Sequence, residues 1–152
     1  MTKQNPDQLI SDAVDVVLET MFFSAVLGPA EPDTGGEILE ARVAFRGRLS
    51  GTLGVCLSET SSRLLAAGFL GEEEESLMDT QPGQVVCELA NMLCGSLLSK
   101  MESEESFDLA SPELLPAGSE TVAISVAPPF ARESFELEGG VLTVTLRLEA
   151  AA

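Results

Sequence analysis

The sequence contains no histidine, tryptophan or tyrosine, three cysteines, and 8 Lys and Arg against 25 Asp and Glu. Without histidine there is no Ser-His-Asp triad, no Cys-His nucleophile, no imidazole metal ligand and no phosphohistidine carrier. Without Trp and Tyr an aromatic platform for stacking bases is not expected. A net charge of −17 makes nucleic acid and anionic membrane poor partners, because both are held by clustered Lys and Arg. Cys56, Cys87 and Cys94 are odd in number and form no CxxC pair, so neither a disulfide framework nor a metal site is expected. They read as small buried hydrophobes in a reducing compartment. No stretch of 18 apolar residues is long enough for a membrane span, and MTKQNPDQL lacks the charged-then-apolar pattern of a signal segment. A cytoplasmic protein is the expectation.

What the chain has is a core. Its 152 residues are 45% hydrophobic, enough for one ordinary domain spanning 1–152 and too few for two well-packed ones. Apolar positions from Leu9 to Phe22 recur near a 3.6 period, which predicts a helix from Asp7 to Leu27, stopped by Gly28-Pro29. Residues 28–36 read as a loop. Partial alternation in 38–46 and a return run Thr52–Leu57, joined through Gly47-Arg48-Leu49-Ser50-Gly51, predict a hairpin over 37–57. Ser58 or Thr60 can cap a short helix Ser61–Leu70 ended by Gly71. Four consecutive glutamates, 72–75, read as a solvated acidic loop, within a stretch 71–120 whose sole cation is Lys100.

A second long helix is predicted from Gln81 or Pro82 to Glu102, with Asp79 or Thr80 as its cap. Residues 103–120 read mostly as loop. Strands follow at Thr121–Ala127, Phe130–Leu137 and Val141–Glu149, the last two turned by Gly139-Gly140. Helices and strands do not alternate, so the fold class is α+β: an antiparallel sheet with two long helices packed on one face. Val16-Val17-Leu18-Glu19 matches Val85-Val86-Cys87-Glu88 at an offset of 69, which points to pseudo-two-fold helix-plus-hairpin halves. Three residues after each Glu the halves differ, with Phe22 in the first and Asn91 in the second.

At about 100° per residue, the second long helix carries one thin polar stripe: Gln84, Glu88, Asn91, Gly95, Ser99 and Glu102. Any amphipathic helix has such a stripe, but Asn is a mediocre helix former, and Ala or Gln would serve a solvated face better. Glu88 and Asn91 are one turn apart and point the same way. Gly95, one turn further, leaves room for another surface.

Glu88-Leu89-Ala90-Asn91-Met92-Leu93-Cys94-Gly95 resembles the Glu-x-x-Asn helix of the CheC/CheX/FliY chemotaxis phosphatases. The segment Val43–Val55, with its strand-Gly-x-x-x-Gly-strand pattern, resembles that family's first hairpin, and the likeness covers roughly residues 8–149. CheC-like members carry the motif on both long helices. Here the first helix keeps Glu19 but has Phe22 in place of Asn, as in the single-motif, CheX-like members. The resemblance implies hydrolysis of the phospho-aspartate on a CheY-like response-regulator receiver domain, in chemotaxis or another two-component pathway. Glu88 and Asn91 would be the catalytic pair, Asn91 orienting water and Glu88 anchoring a lysine of the receiver, with Gln84 and Gly95 as partner-binding positions. No cofactor or metal of its own is implied; Mg2+ is expected on the receiver. Two readings stand beside this one. One is a non-catalytic CheX-like module docking a response regulator or motor-switch partner. The other is a structural oligomerisation domain with the helix stripe as mere surface. Separately from these readings, a homodimer is one expectation, since an unpaired edge strand among residues 121–149 can join two chains into a continuous sheet.

Overall fold

The run Ile38–Arg46 (β2) returns as Gly51–Ser58 (β3), and Ala131–Leu137 (β6) returns as Gly140–Leu148 (β7), giving the two predicted hairpins. The computed structural model describes residues 6–31, 37–47, 50–101, 108–115 and 131–148. The strand expected at Thr121–Ala127 lies outside the described residues. β3 and β7 pair antiparallel through the middle, with Gly51 opposite Leu148 and Leu57 opposite Leu142, so the hairpins form one sheet. Three two-residue strands complete it at the edges. Gly28–Pro29 (β1) pairs with β6, while Asp108–Leu109 (β4) and Glu113–Leu114 (β5) both pair with β2. The stretches 28–36 and 103–120, expected as loops, thus each contribute short edge pairing. β1 takes up part of the outer edge of β6, and the Ala30 N–H extends that pairing to the Ser134 carbonyl.

Alternation gives the sheet two unlike faces. Ala41, Val43 and Phe45, then Leu53, Val55 and Leu57, then Leu142, Val144 and Leu146 are buried against the helices. On the opposite face Glu40, Arg42, Thr52, Cys56, Thr145 and Arg147 line a shallow polar depression. Gly51 must be glycine, because a Cβ there would run into the Arg147 carbonyl of the neighbouring strand.

The helices are Pro6–Met21 (α1), Glu59–Leu70 (α2) and Gln81–Met101 (α3). Both long ones lie on the apolar face, each across the other half's hairpin: α1 packs on β6, and α3 on β2 and β3. Each half is a long helix followed by a hairpin, in the expected order of elements. The cap of α2 is Ser58 rather than Thr60; its Oγ accepts from the Ser61 N–H at 3.2 Å, and Gly71 ends the helix at φ 69°. α3 begins with the Gln84 N–H donating to the Thr80 carbonyl, and the Gln81 side chain accepts from the Met78 N–H at 2.7 Å. The acidic run is solvated as expected, except that Glu74–Ser76 form a single 3-10 turn, whose Glu74 carbonyl accepts from Arg63 at 3.1 Å.

The first helix is shorter than its apolar pattern. It ends at Met21, not Leu27. Phe22 turns into the core at 1% exposure and stacks on Phe69, with ring centroids 4.9 Å apart. Phe23 then adopts a left-handed φ of 53°, and the Ser24 N–H folds back onto the Leu18 carbonyl. Beyond it the chain is extended, and the Leu27 N–H donates to Glu136. A stacked aromatic pair and a sheet edge compete with further helical turns here, and helical periodicity cannot register either.

Candidate functional site

α3 is buried along most of its circumference: Val85, Val86, Leu89, Ala90, Leu93, Cys94, Leu97 and Leu98 all belong to the core. That burial fixes the rotation of the helix about its axis. It leaves Gln84, Glu88 and Ser99 exposed and Asn91 and Gly95 half-exposed. The expected stripe is therefore one solvent-facing strip, apart from Glu102, which lies outside the described residues. Ideal helix geometry sets the Glu88 and Asn91 directions about 60° apart, one turn from each other. A carboxylate and a carboxamide so placed can share one partner surface. The carboxylate can take a cation, and the carboxamide oxygen can hold a water.

At Gly95 a Cβ would meet nothing within 4 Å. No packing among the described residues requires glycine there, although mid-helix glycine costs about 1 kcal/mol relative to alanine. The bare backbone beside Asn91 is what a closely approaching second surface needs.

The matching position on α1 is built differently. Glu19 is exposed, but three residues on stands Phe22, buried in its stack with Phe69. A phenyl ring offers no strong acceptor to water, and this one does not face solvent.

The three thiols are free. Burial pushes Cys94 up to about 12, and burial together with the Glu40 carboxylate pushes Cys56 up to about 12. Cys87, on α3 beside the stripe, is raised by burial and then by Glu88. All three are protonated at neutral pH, which leaves them without nucleophilic character. Among the described residues no three acidic or cysteine side chains gather to hold a metal, and no helix is long and apolar enough to cross a membrane.

One feature of the surroundings was not legible in the sequence. Between α2, the start of α3 and the β2–β5 edge lies a cleft of about 520 Å3, with Gln84 and Cys87 on its α3 side. Leu114, from a stretch expected as loop, forms part of its wall.

Comparison with known proteins identifies the family and the fold. Residues 39–131 match the family described as chemotaxis phosphatase CheX, a span that includes Glu88, Asn91 and Gly95. No curated protein sequence matches the chain. Among solved structures, a chemotaxis protein CheX from Desulfovibrio desulfuricans superposes with a TM-score of 0.72 at 20% identity, covering 95% of this chain and 99% of that one. A CheX-CheY-BeF3-Mg2+ complex from Borrelia burgdorferi gives 0.71 at 18% identity, covering 97% and 100%. FliY from Thermotoga maritima gives 0.58 at 16% identity, covering 97% and 92%. At these identities the structural likeness is one of fold. With a family match across more than half of its length, the chain belongs to the CheX family of chemotaxis phosphatases.

Proposed function

We propose that this protein accelerates hydrolysis of the phospho-aspartate on a CheY-like receiver domain, with Glu88 and Asn91 as the working pair. The observation that carries the reading is the placement of these two polar side chains on the solvent-facing strip of an otherwise buried helix, next to a glycine that no packing among the described residues requires. In this step water attacks phosphorus in line with the aspartyl oxygen. The P–O bond to that oxygen breaks, the receiver's aspartate carboxylate is regenerated in place, and inorganic phosphate leaves carrying the water's oxygen, the water's proton passing to phosphate or solvent. Such a transfer depends mostly on position. The Asn91 carboxamide oxygen accepts a hydrogen bond from the water and holds it on the attack line; it need not remove a proton as a strong base. Glu88 pairs with a lysine of the receiver and fixes the two surfaces in register. Mg2+, the groups that hold the phosphoryl oxygens and the phosphorylated carboxylate belong to the receiver. The complex of a similarly folded CheX with CheY, BeF3 and Mg2+ supports a receiver as the partner.

The test is phosphate release from a panel of phosphorylated receiver domains. Wild type is expected to accelerate at least one. Asn91→Ala is expected to abolish the acceleration while still binding that receiver. Glu88→Lys is expected to weaken binding by about 2–5 kcal/mol, because it sets like charges against each other. Full activity in Asn91→Ala would overturn the mechanism. Wild-type affinity in Glu88→Lys, measured by calorimetry, would remove Glu88 from the contact. A wild type that binds receivers without accelerating any of them would mark the chain as a docking module.

A further inference from the structure

A catalytic pair that supplies so little chemistry depends on the surface around it to select and seat a partner. The cleft described above adjoins that pair. Cys87 lies one turn before Asn91 and Gln84 one turn before Glu88, so the α3 wall of the cleft is about 6 Å from each. Leu39, Pro82, Cys87 and Leu114 give it apolar walls, and its volume of about 520 Å3 is within the range of clefts that enclose a ligand or inserted side chains.

The rim carries charge. Glu59 and Asp79 line the cleft with Arg63, which also donates to the Glu74 carbonyl at 3.1 Å, so two carboxylates stand against one cation and the excess is negative. Glu37 adjoins Glu59, whose N–H donates to the Glu37 carbonyl at 2.9 Å; the neighbouring Glu37 carboxyl raises that of Glu59 above its ordinary value, against the lowering influence of Arg63. Apolar walls under an acidic rim fit an apolar side chain flanked by Lys or Arg.

Resting on the receiver-phosphatase reading, we infer that this cleft is a second contact of the docking surface and takes an apolar side chain, flanked by a basic residue, from the receiver domain seated on Glu88 and Asn91. The chain's strong negative charge then becomes a selector. It favours receivers whose docking face is basic and rejects acidic ones, as electrostatic complementarity does at other interfaces.

Thr80 is exposed at the cleft and lies outside the core, so Thr80→Trp fills the opening without touching buried packing, and its cost at the start of α3 is limited to a cap side chain, about 1 kcal/mol. Glu59→Lys reverses charge at the rim. Both variants are compared with wild type and Asn91→Ala by steady-state dephosphorylation of the best receiver in the panel. Calorimetry of the same receiver activated with beryllofluoride gives the affinity, and thermal melts check folding. Thr80→Trp is expected to raise KM and Kd about ten-fold or more, with kcat changed less than about two-fold. Glu59→Lys is expected to raise both about five-fold, with the loss shrinking in high salt. Asn91→Ala loses kcat with Kd nearly unchanged. If folded Thr80→Trp and Glu59→Lys keep wild-type KM and Kd while Asn91→Ala is dead, the cleft inference falls and the phosphatase reading stands. If wild type accelerates no receiver, both fall.

Discussion

Asn91 and Phe22 occupy matching places three residues after a glutamate, and the fold gives the two side chains opposite surroundings. Asn91 is half-exposed, whereas Phe22 is 1% exposed and stacked on Phe69. Phe22→Ala is expected to cost about 3–5 kcal/mol in chemical denaturation, the usual penalty for emptying a core aromatic site. Phe22→Asn is also expected to destabilise, and it creates no second working site, because the new amide would be drawn into the core or leave a cavity there. Glu19→Ala is expected to keep full phosphatase activity, in contrast to Asn91→Ala; equal loss in both would mean that α1 also carries a site. Gly95 gives the opposite signature. Gly95→Ala is expected to raise stability by about 1 kcal/mol, since the added methyl meets open space and the helix gains propensity. It is also expected to weaken receiver binding, and a bulkier Gly95→Leu to weaken it further. Unchanged affinity in Gly95→Leu would show that the partner does not come close there.

At the scale of elements, the ends of the helices are where local chemistry and tertiary contact compete. The α2 start is local. Ser58 caps it through the Ser61 N–H, and its Oγ also donates to the Gly139 carbonyl at 3.2 Å, joining the helix start to the β6–β7 turn. Ser58→Ala is expected to cost about 1 kcal/mol by thermal melt. A cost indistinguishable from zero would make both contacts dispensable. The end of α1 is tertiary. Phe23 is 79% exposed with φ at 53°, a conformation that L residues other than Gly, Asn and Asp seldom hold. The stacking of Phe22 and the return of the chain to the edge of β6 impose it.

The whole molecule carries a charge of −17, and its fold adds to the difficulty of ionising particular carboxyl groups. Glu40 is raised by burial in spite of Arg42 and Arg147. Glu59 is raised by the neighbouring Glu37 carboxyl, and Glu133 by burial and then Asp7. A carboxyl whose folded value lies above its unfolded one holds its proton more tightly in the native state. Its stabilising contribution is complete below the ordinary value of 4.5 and is lost as pH rises through the raised value. Self-repulsion among the remaining carboxylates acts in the same direction. Thermal stability is therefore expected to rise as pH is lowered from about 7.5 to about 5, and to rise with salt at pH 7.5. Glu40→Gln is expected to flatten part of that slope. A melting temperature that falls steadily over this interval would show that ion pairs outweigh these groups.

The two hairpins, the Glu59–Leu70 helix with its Ser58 and Gly71 caps, and the polar stripe of α3 were readable because each rests on a local rule: alternation, capping, or a 3.6 period. Glu88 and Asn91 stood out for the same reason, as polar residues at helical spacing in an apolar run. The early end of α1 was not readable, since its apolar pattern continues through Phe22 and Phe23, and only the stack on Phe69 and the β6 edge decide where it stops. Nor was the cleft, whose walls come from Leu39, Pro82, Cys87 and Leu114, far apart along the chain. The sequence by itself determined which faces are apolar and which side chains could do chemistry, because periodicity acts within one element. Only the tertiary structure decided how α3 is rotated in the core, and hence that its pair faces outward beside a cleft, because rotation and concavity arise where several elements meet.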